Sequence, residues 1–126
     1  MALMTSTLDS VIVVWHVAVN AGDADAAASA CTEDVVMRGP QGTAHGRDEM
    51  RTWVGAAGIR LMPKEAYDVP GGIVVAQEAT WPGREDFDAN GTPAKLYTSF
   101  GLRDGSICGV YLFDSLEEAR AYPMAA

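Results

Sequence analysis

The stretch from Asn20 to Arg51, NAGDADAAASACTEDVVMRGPQGTAHGRDEMR, decides the fold. It reads as the end of one helix, a short second helix, an acidic turn, a strand, a glycine-rich loop and a third helix. Gly22 stops the first helix, because glycine takes the left-handed conformation at a helix C-terminus at little cost. Asp23 then caps an alanine-rich helix that ends near Cys31, and Asp25 suits the positive end of its first turn. Val35, Val36 and Met37 read as a buried strand, and Pro40, Gly42 and Gly46 as a loop. The third helix runs from Asp48 to Ala57 with Met50, Trp53 and Val54 on one face, and Gly58 closes it.

Working outward, Leu8, Val11, Ile12, Trp15, Ala18 and Val19 recur at three- and four-residue steps. They predict an amphipathic first helix, with Thr5, Ser6 or Thr7 as its N-cap. After Gly58 the period changes to alternation. Strands are expected over 61–69, with Pro63 marking an edge or a bulge, and over 73–81, 94–103 and 106–113. Asp104-Gly105 is a type I′ hairpin signal between the last two. Residues 82–93 form a long polar loop whose run Arg84-Glu85-Asp86-Phe87-Asp88 reads as a solvated tip or a lid. Ser115 caps a short helix ending at Tyr122. Helices first and strands afterwards define an α+β domain with an antiparallel meander.

At 126 residues the chain is one domain, 1–126, with enough interior for one core. Seventeen acidic residues against nine basic ones give a net charge of −8, which disfavours nucleic acid and anionic membranes as partners. No apolar run is long enough to cross a membrane, and MALMTSTLDS lacks the features of a secretory signal. Cys31 and Cys108 lie far apart and read as reduced and unpaired, so a cytoplasmic location is expected. No paired His or Cys spacing supports a metal site, and no cofactor is expected.

The chain resembles the nuclear transport factor 2-like superfamily, in its SnoaL-like and ketosteroid isomerase-like branch. The resemblance rests on Asn20-Ala21-Gly22-Asp23, Glu33-Asp34-Val35-Val36, Gly39-Pro40, His45-Gly46-Arg47-Asp48-Glu49-Met50, and the tail from Arg103-Asp104-Gly105 to Phe113-Asp114. It implies a cone: three N-terminal helices packed in a curved antiparallel sheet, a short C-terminal helix, and a pocket inside. It does not imply one activity, because the fold hosts isomerases, cyclases, hydrolases, dehydratases and binders. Ketosteroid isomerases place an aspartate base before the proline, a tyrosine donor seven residues before the glycine of the first helix, and a protonated acid in the fourth strand. Those positions fall here on Gly39, Trp15 and, near the counted position, Thr98. Isomerisation by that mechanism is therefore not expected.

The alternation on 94–103 and 106–113, aligned with the family, turns Thr98, Phe100, Val110, Leu112 and Asp114 inward and Tyr111 outward. Val35 and Met37 line the first strand's inner side, with Arg38 outward. The expected ligand-binding residues are Trp15, Met37, Trp53, Thr98, Phe100 and Leu112. Asp114, at the pocket mouth, is either a general base or a helix cap, and His45 is either a second proton carrier or a solvent-facing loop residue. His16, about 100° around the helix from Trp15, is placed on the helix flank. Glu78 is expected on the outer face. The reading that follows is a pocket for a small, hydrophobic, oxygenated molecule. The alternative is a cofactor-independent isomerase, lyase or hydrolase using Asp114 or His45. Apolar and aromatic residues on both strand faces imply a homodimer through the sheet's outer face.

Overall fold

The computed structural model describes residues 10–39, 42–80 and 94–121. Helix α1 (Ser10–Ala21) is followed by α2 (Ala24–Ser29), strands β1 (Cys31–Gly39) and β2 (Gly42–His45), and α3 (Gly46–Ala57). Strands β3 (Arg60–Val69), β4 (Gly72–Thr80), β5 (Ala94–Arg103) and β6 (Ser106–Phe113) come next, then α4 (Leu116–Ala121). The expected caps form. Asp23 accepts the Ala26 N–H at 3.1 Å, and Gly58 closes α3 in the left-handed region at φ 58°. Asp104 and Gly105 both have positive φ, 53° and 79°, as a type I′ turn requires. The candidate N-caps Thr5, Ser6 and Thr7, Trp81 and the polar loop over 82–93 lie outside the described residues.

All six strands belong to one curved, open sheet in the order β2-β1-β6-β5-β4-β3. The run from β3 to β6 is the expected antiparallel meander, and the register of β3 on β4 shifts between Pro63 and Glu65 on the outermost strand. Two features depart from the sequence reading. The sheet is mixed, because β1 lies parallel to β6, with Met37 opposite Val110 and Arg38 opposite Tyr111. The segment before α3 is partly strand, because 42–45 folds back on β1 and pairs His45 with Val36. Neither pairing has a local signature, since the partner of β1 lies some seventy residues away.

The concave face packs on the helices. Trp15, Phe100, Ile12, Met50, Leu61, Val35, Val75 and Val110 are fully or almost fully buried there. The convex face carries α4, whose Ala119 is buried and whose backbone carbonyl accepts the Ser99 hydroxyl at 2.7 Å. Glu78 is on this outer side, opposite exposed Met62 and 3.8 Å from Lys64, as expected.

Asn20 joins the two halves of the chain. Its side chain donates to the Leu61 carbonyl at 2.9 Å and accepts the Leu61 N–H at 2.7 Å, so it pairs with edge strand β3 as a neighbouring backbone would. Asn20→Ala removes both bonds and leaves a part-buried backbone pair unmatched. The expected cost is about 1–3 kcal/mol, read as a lower urea midpoint at unchanged slope. An unchanged midpoint would remove the clamp from the forces holding α1.

Candidate functional site

Among the described residues the interior of the cone is apolar with one polar line through it. His16 Nδ1 lies 2.8 Å from the Ile12 carbonyl, one turn back on α1. A carbonyl can only accept, so Nδ1 carries the proton. His16 is buried, and burial holds its pKa below the usual 6.5, against the raising effect of the Ile12 carbonyl. The ring is therefore neutral at pH 7 and Nε2 is an acceptor. Gln77 Nε2, 2.7 Å away, is its donor. The Gln77 oxygen then faces β5, where the Thr98 hydroxyl donates to it at 2.6 Å. Gln77 and Thr98 are 2% and 0% exposed.

Around this line the rings are packed. Trp15 stacks on Trp53 with centroids 6.3 Å apart, and meets Phe100 edge-on at 5.2 Å and His16 at 5.3 Å. The Trp15 indole N–H is buried with no partner among the described residues. An unpaired buried donor costs about 1–3 kcal/mol.

A groove of about 440 Å³ opens at the end of the sheet where β1 and β6 finish and β5 begins. Leu96, Leu112, Phe113, Tyr111 and Gly39 give it an apolar lining, and Arg38, Asp114 and Glu118 add charge. Leu96 is the register partner of Gln77, and Leu112 that of Thr98. Arg38, Tyr111, Phe113 and Glu118 of α4 belong to the convex side, so the groove lies at the end of the sheet beside α4, and the buried polar line is not part of its lining.

The expected site residues divide among these places. Trp15, Met37, Thr98 and Phe100 are buried on the concave side, as the alternation and helix period implied. Trp53 and Leu112 are partly buried and pack on the same core. Asp114 is exposed at the groove, and Ser115 performs the capping of α4, its hydroxyl accepting the Glu118 N–H at 3.2 Å. His45 is exposed at the start of α3, where its backbone N–H donates to Glu49 at 2.5 Å. His45 is level with Gly109, and Asp114 lies five residues beyond that, two strands away. At ~3.3 Å per residue and ~4.8 Å per strand, the two are too far apart to share one proton transfer. Gly39 offers no base, and a Cβ there would stand 3.1 Å from Leu112 Cδ1. Among the described residues no three His, Cys, Asp or Glu side chains converge on a possible metal position. Cys31 is buried, with its thiol pushed up to about 12 by desolvation, so it is no nucleophile.

His16 corrects the sequence reading. It lies inside the cone against Gln77 and not on the helix flank, because the curved sheet wraps far enough around α1 to cover that side. Gln77 was not singled out either. Its signal was present: within the apolar run GIVVAQEAT, alternation from Ile73 and Val75 puts Gln77 on the inner face.

The fold and this interior define a helix-and-sheet cone with a groove at one end of its sheet. The SnoaL-like domain family matches residues 12–110, and the chain belongs to that family. No curated protein matches the sequence. Among solved structures, a candidate polyketide cyclase from Sinorhizobium meliloti is similar at 20% identity and a TM-score of 0.73, over 84% of this chain and 95% of that one. The Orange Carotenoid Protein of Anabaena, solved with canthaxanthin, is 18% identical with a TM-score of 0.76, over 92% of this chain and 39% of that one. A Catenulispora acidiphila protein with a ketosteroid isomerase-like fold, in complex with trimethylamine, is 16% identical with a TM-score of 0.70, over 94% and 97% of the two chains. At these identities the likeness establishes the fold.

The buried imidazole makes stability depend on pH. With its pKa lowered in the folded state, His16 binds fewer protons folded than unfolded. Its contribution is complete above the unfolded value near 6.5 and is lost as pH falls toward the folded pKa. Urea midpoints of the wild type and His16→Gln should therefore diverge in pH dependence just below 6.5, with the wild type losing more. Parallel curves there would mean that His16 does not titrate differently on folding.

Proposed function

We propose that this SnoaL-like protein binds a small, apolar, oxygenated organic molecule at the open end of the cone. It does so without the catalytic groups of ketosteroid isomerase. The observation that carries this reading is the groove of about 440 Å³ lined by Leu96, Leu112, Tyr111 and Phe113, with Arg38, Asp114 and Glu118 as its charged groups. That volume is within the ~300–1,000 Å³ range of small-ligand sites, and an apolar lining with few polar groups suits such a ligand. Trp15, Met37, Trp53 and Phe100 belong to the packed core, and Asp114 is at the groove. The relatives are consistent with ligand binding, since one is solved with canthaxanthin and another with trimethylamine.

Replacing Leu96 by Trp fills the groove and leaves the polar line in place. Compounds that raise the melting temperature of the wild type should bind Leu96→Trp at least about tenfold more weakly. Undiminished binding in that variant would place the ligand elsewhere.

We also propose a homodimer through the convex face. Tyr97, Tyr111 and Phe113 are partly buried in the single chain and leave apolar surface beside α4, which itself covers Val74 and Ser99. Light scattering at micromolar concentration should give twice the 13.3 kDa chain mass. A mass of one chain would overturn the dimer.

A further inference from the structure

The buried line from α1 to β5 has two self-consistent arrangements, and one proton separates them. In the neutral form the Ile12 carbonyl holds the proton on His16 Nδ1, 2.8 Å away. Nε2 is then an acceptor, so the Gln77 amide nitrogen faces it at 2.7 Å. The Gln77 oxygen turns to Thr98, whose hydroxyl donates to it at 2.6 Å. Each link joins a donor to an acceptor.

A proton added at Nε2 sets a ring N–H against the Gln77 NH₂ group, two donors at a hydrogen-bonding distance. Gln77 is 2% exposed and cannot turn to solvent. Its amide can rotate by about 180° on its last bond, where the torsion is soft and close to two-fold. That rotation exchanges oxygen and nitrogen at almost equal volume. The oxygen then accepts from Nε2–H, and the NH₂ group donates to the Thr98 oxygen. We propose that His16, Gln77 and Thr98 form a proton-driven switch in the core: protonation of His16 inverts the Gln77 amide and turns Thr98 from hydrogen-bond donor to acceptor while the fold stays closed. In the acid form the Thr98 hydroxyl proton loses its Gln77 partner. That loss opposes protonation, as does the burial that lowers the His16 pKa. The switch therefore turns below the ordinary histidine value of 6.5.

Among the described residues no carboxylate stands ready to neutralise the new charge. Between Ser10 and Ala21, α1 has no charged side chain, and the rings against His16 are those of Trp15 and Phe100. On the elements packed around α1, Asp23 and Asp25 of α2 are exposed, as are Arg60, Lys64, Glu65 and Asp68 of β3. Tyr67 of β3 donates its hydroxyl to Glu65 at the surface. Glu78 of β4 is on the outer side near Lys64, Lys95 and Arg103 of β5 are exposed, and β6 has no charged residue. The group able to answer a proton on Nε2 is the Gln77 oxygen.

NMR across the titration tests this directly. Near pH 7, long-range proton–nitrogen spectra should show a protonated Nδ1 and a bare Nε2, with the Gln77 NH₂ protons close to the His16 ring. Once His16 is protonated, those NH₂ contacts should pass to the Thr98 methyl group while near-UV circular dichroism stays native. A protonated Nε2 at neutral pH overturns the switch. So does unfolding that coincides with protonation, or a protonated ring still facing the NH₂ group. A ring that stays neutral in the folded chain down to about pH 4, where carboxylates begin to protonate, overturns it as well. The coupling has its own readout, because Thr98 bonds Gln77 and not His16. Thr98→Val removes the hydroxyl that favours the neutral arrangement and should raise the His16 pKa by about half a unit or more. Thr98→Ser keeps the hydroxyl and should leave it in place. A merely structural Thr98 would change the melting temperature and leave the His16 pKa of Thr98→Val unmoved. That result, or an equal rise in Thr98→Ser, overturns the proposal.

Discussion

The rest of this structure depends on burying Trp15. The indole is completely enclosed, with Trp53 stacked on one side and Phe100 and His16 against it. Those rings come from α1, α3 and β5, so one side chain ties three elements that the chain does not connect directly. Each aromatic pair contributes about 0.5–1.5 kcal/mol beyond the area it buries. The curvature of the sheet follows from the same demand, since a flat sheet would cover only one side of α1. Asn20 secures the far end of α1 to the edge strand. Arg47 secures α3 to the start of β1, donating to the Cys31 carbonyl at 3.0 and 2.9 Å.

Within that apolar enclosure, the line from His16 to Gln77 to Thr98 is a polar intrusion that only complete pairing makes tolerable. It also makes strand register consequential. Gln77 and Thr98 sit on the concave face because β4 and β5 pair Gln77 with Leu96 and Val75 with Thr98. A slip of one residue would turn both outward and bring Glu78 in. Lys64 and the exposed position of Met62 keep Glu78 where a carboxylate is solvated. The alternation that builds the core and the alternation that builds the polar line are the same alternation.

Membership in the SnoaL-like family establishes an architecture and leaves the chemistry to the individual site. Here the positions that ketosteroid isomerases use hold Gly39, Trp15 and, near the third, Thr98. Gly39 has no side chain to take a proton. Trp15 is packed among rings, and Thr98 spends its hydroxyl proton on Gln77. The other two candidates, His45 and Asp114, are exposed and stand apart. The concave interior is a packed set of rings with one fully paired polar line.

The features legible in the sequence are those set within a few residues. Gly22, Gly58 and Asp104-Gly105 mark the ends of elements through backbone conformations that few other residues adopt, and Asp23 marks the start of α2 through its side-chain cap. The inward set of Thr98, Phe100, Val110, Leu112 and Met37 followed from alternation once a family register was assumed. The tertiary structure decided what depends on partners far along the chain. It set β1 parallel to β6, and it made a strand of Gly42–His45 in place of a loop. It also buried His16, whose partner Gln77 lies sixty-one residues away. No local pattern reveals that a histidine one step off an apolar stripe will be covered, because the covering sheet is built from the other half of the chain. Caps and turns are written in short-range sterics, whereas the pairing and burial of polar groups are settled only when distant strands close around them.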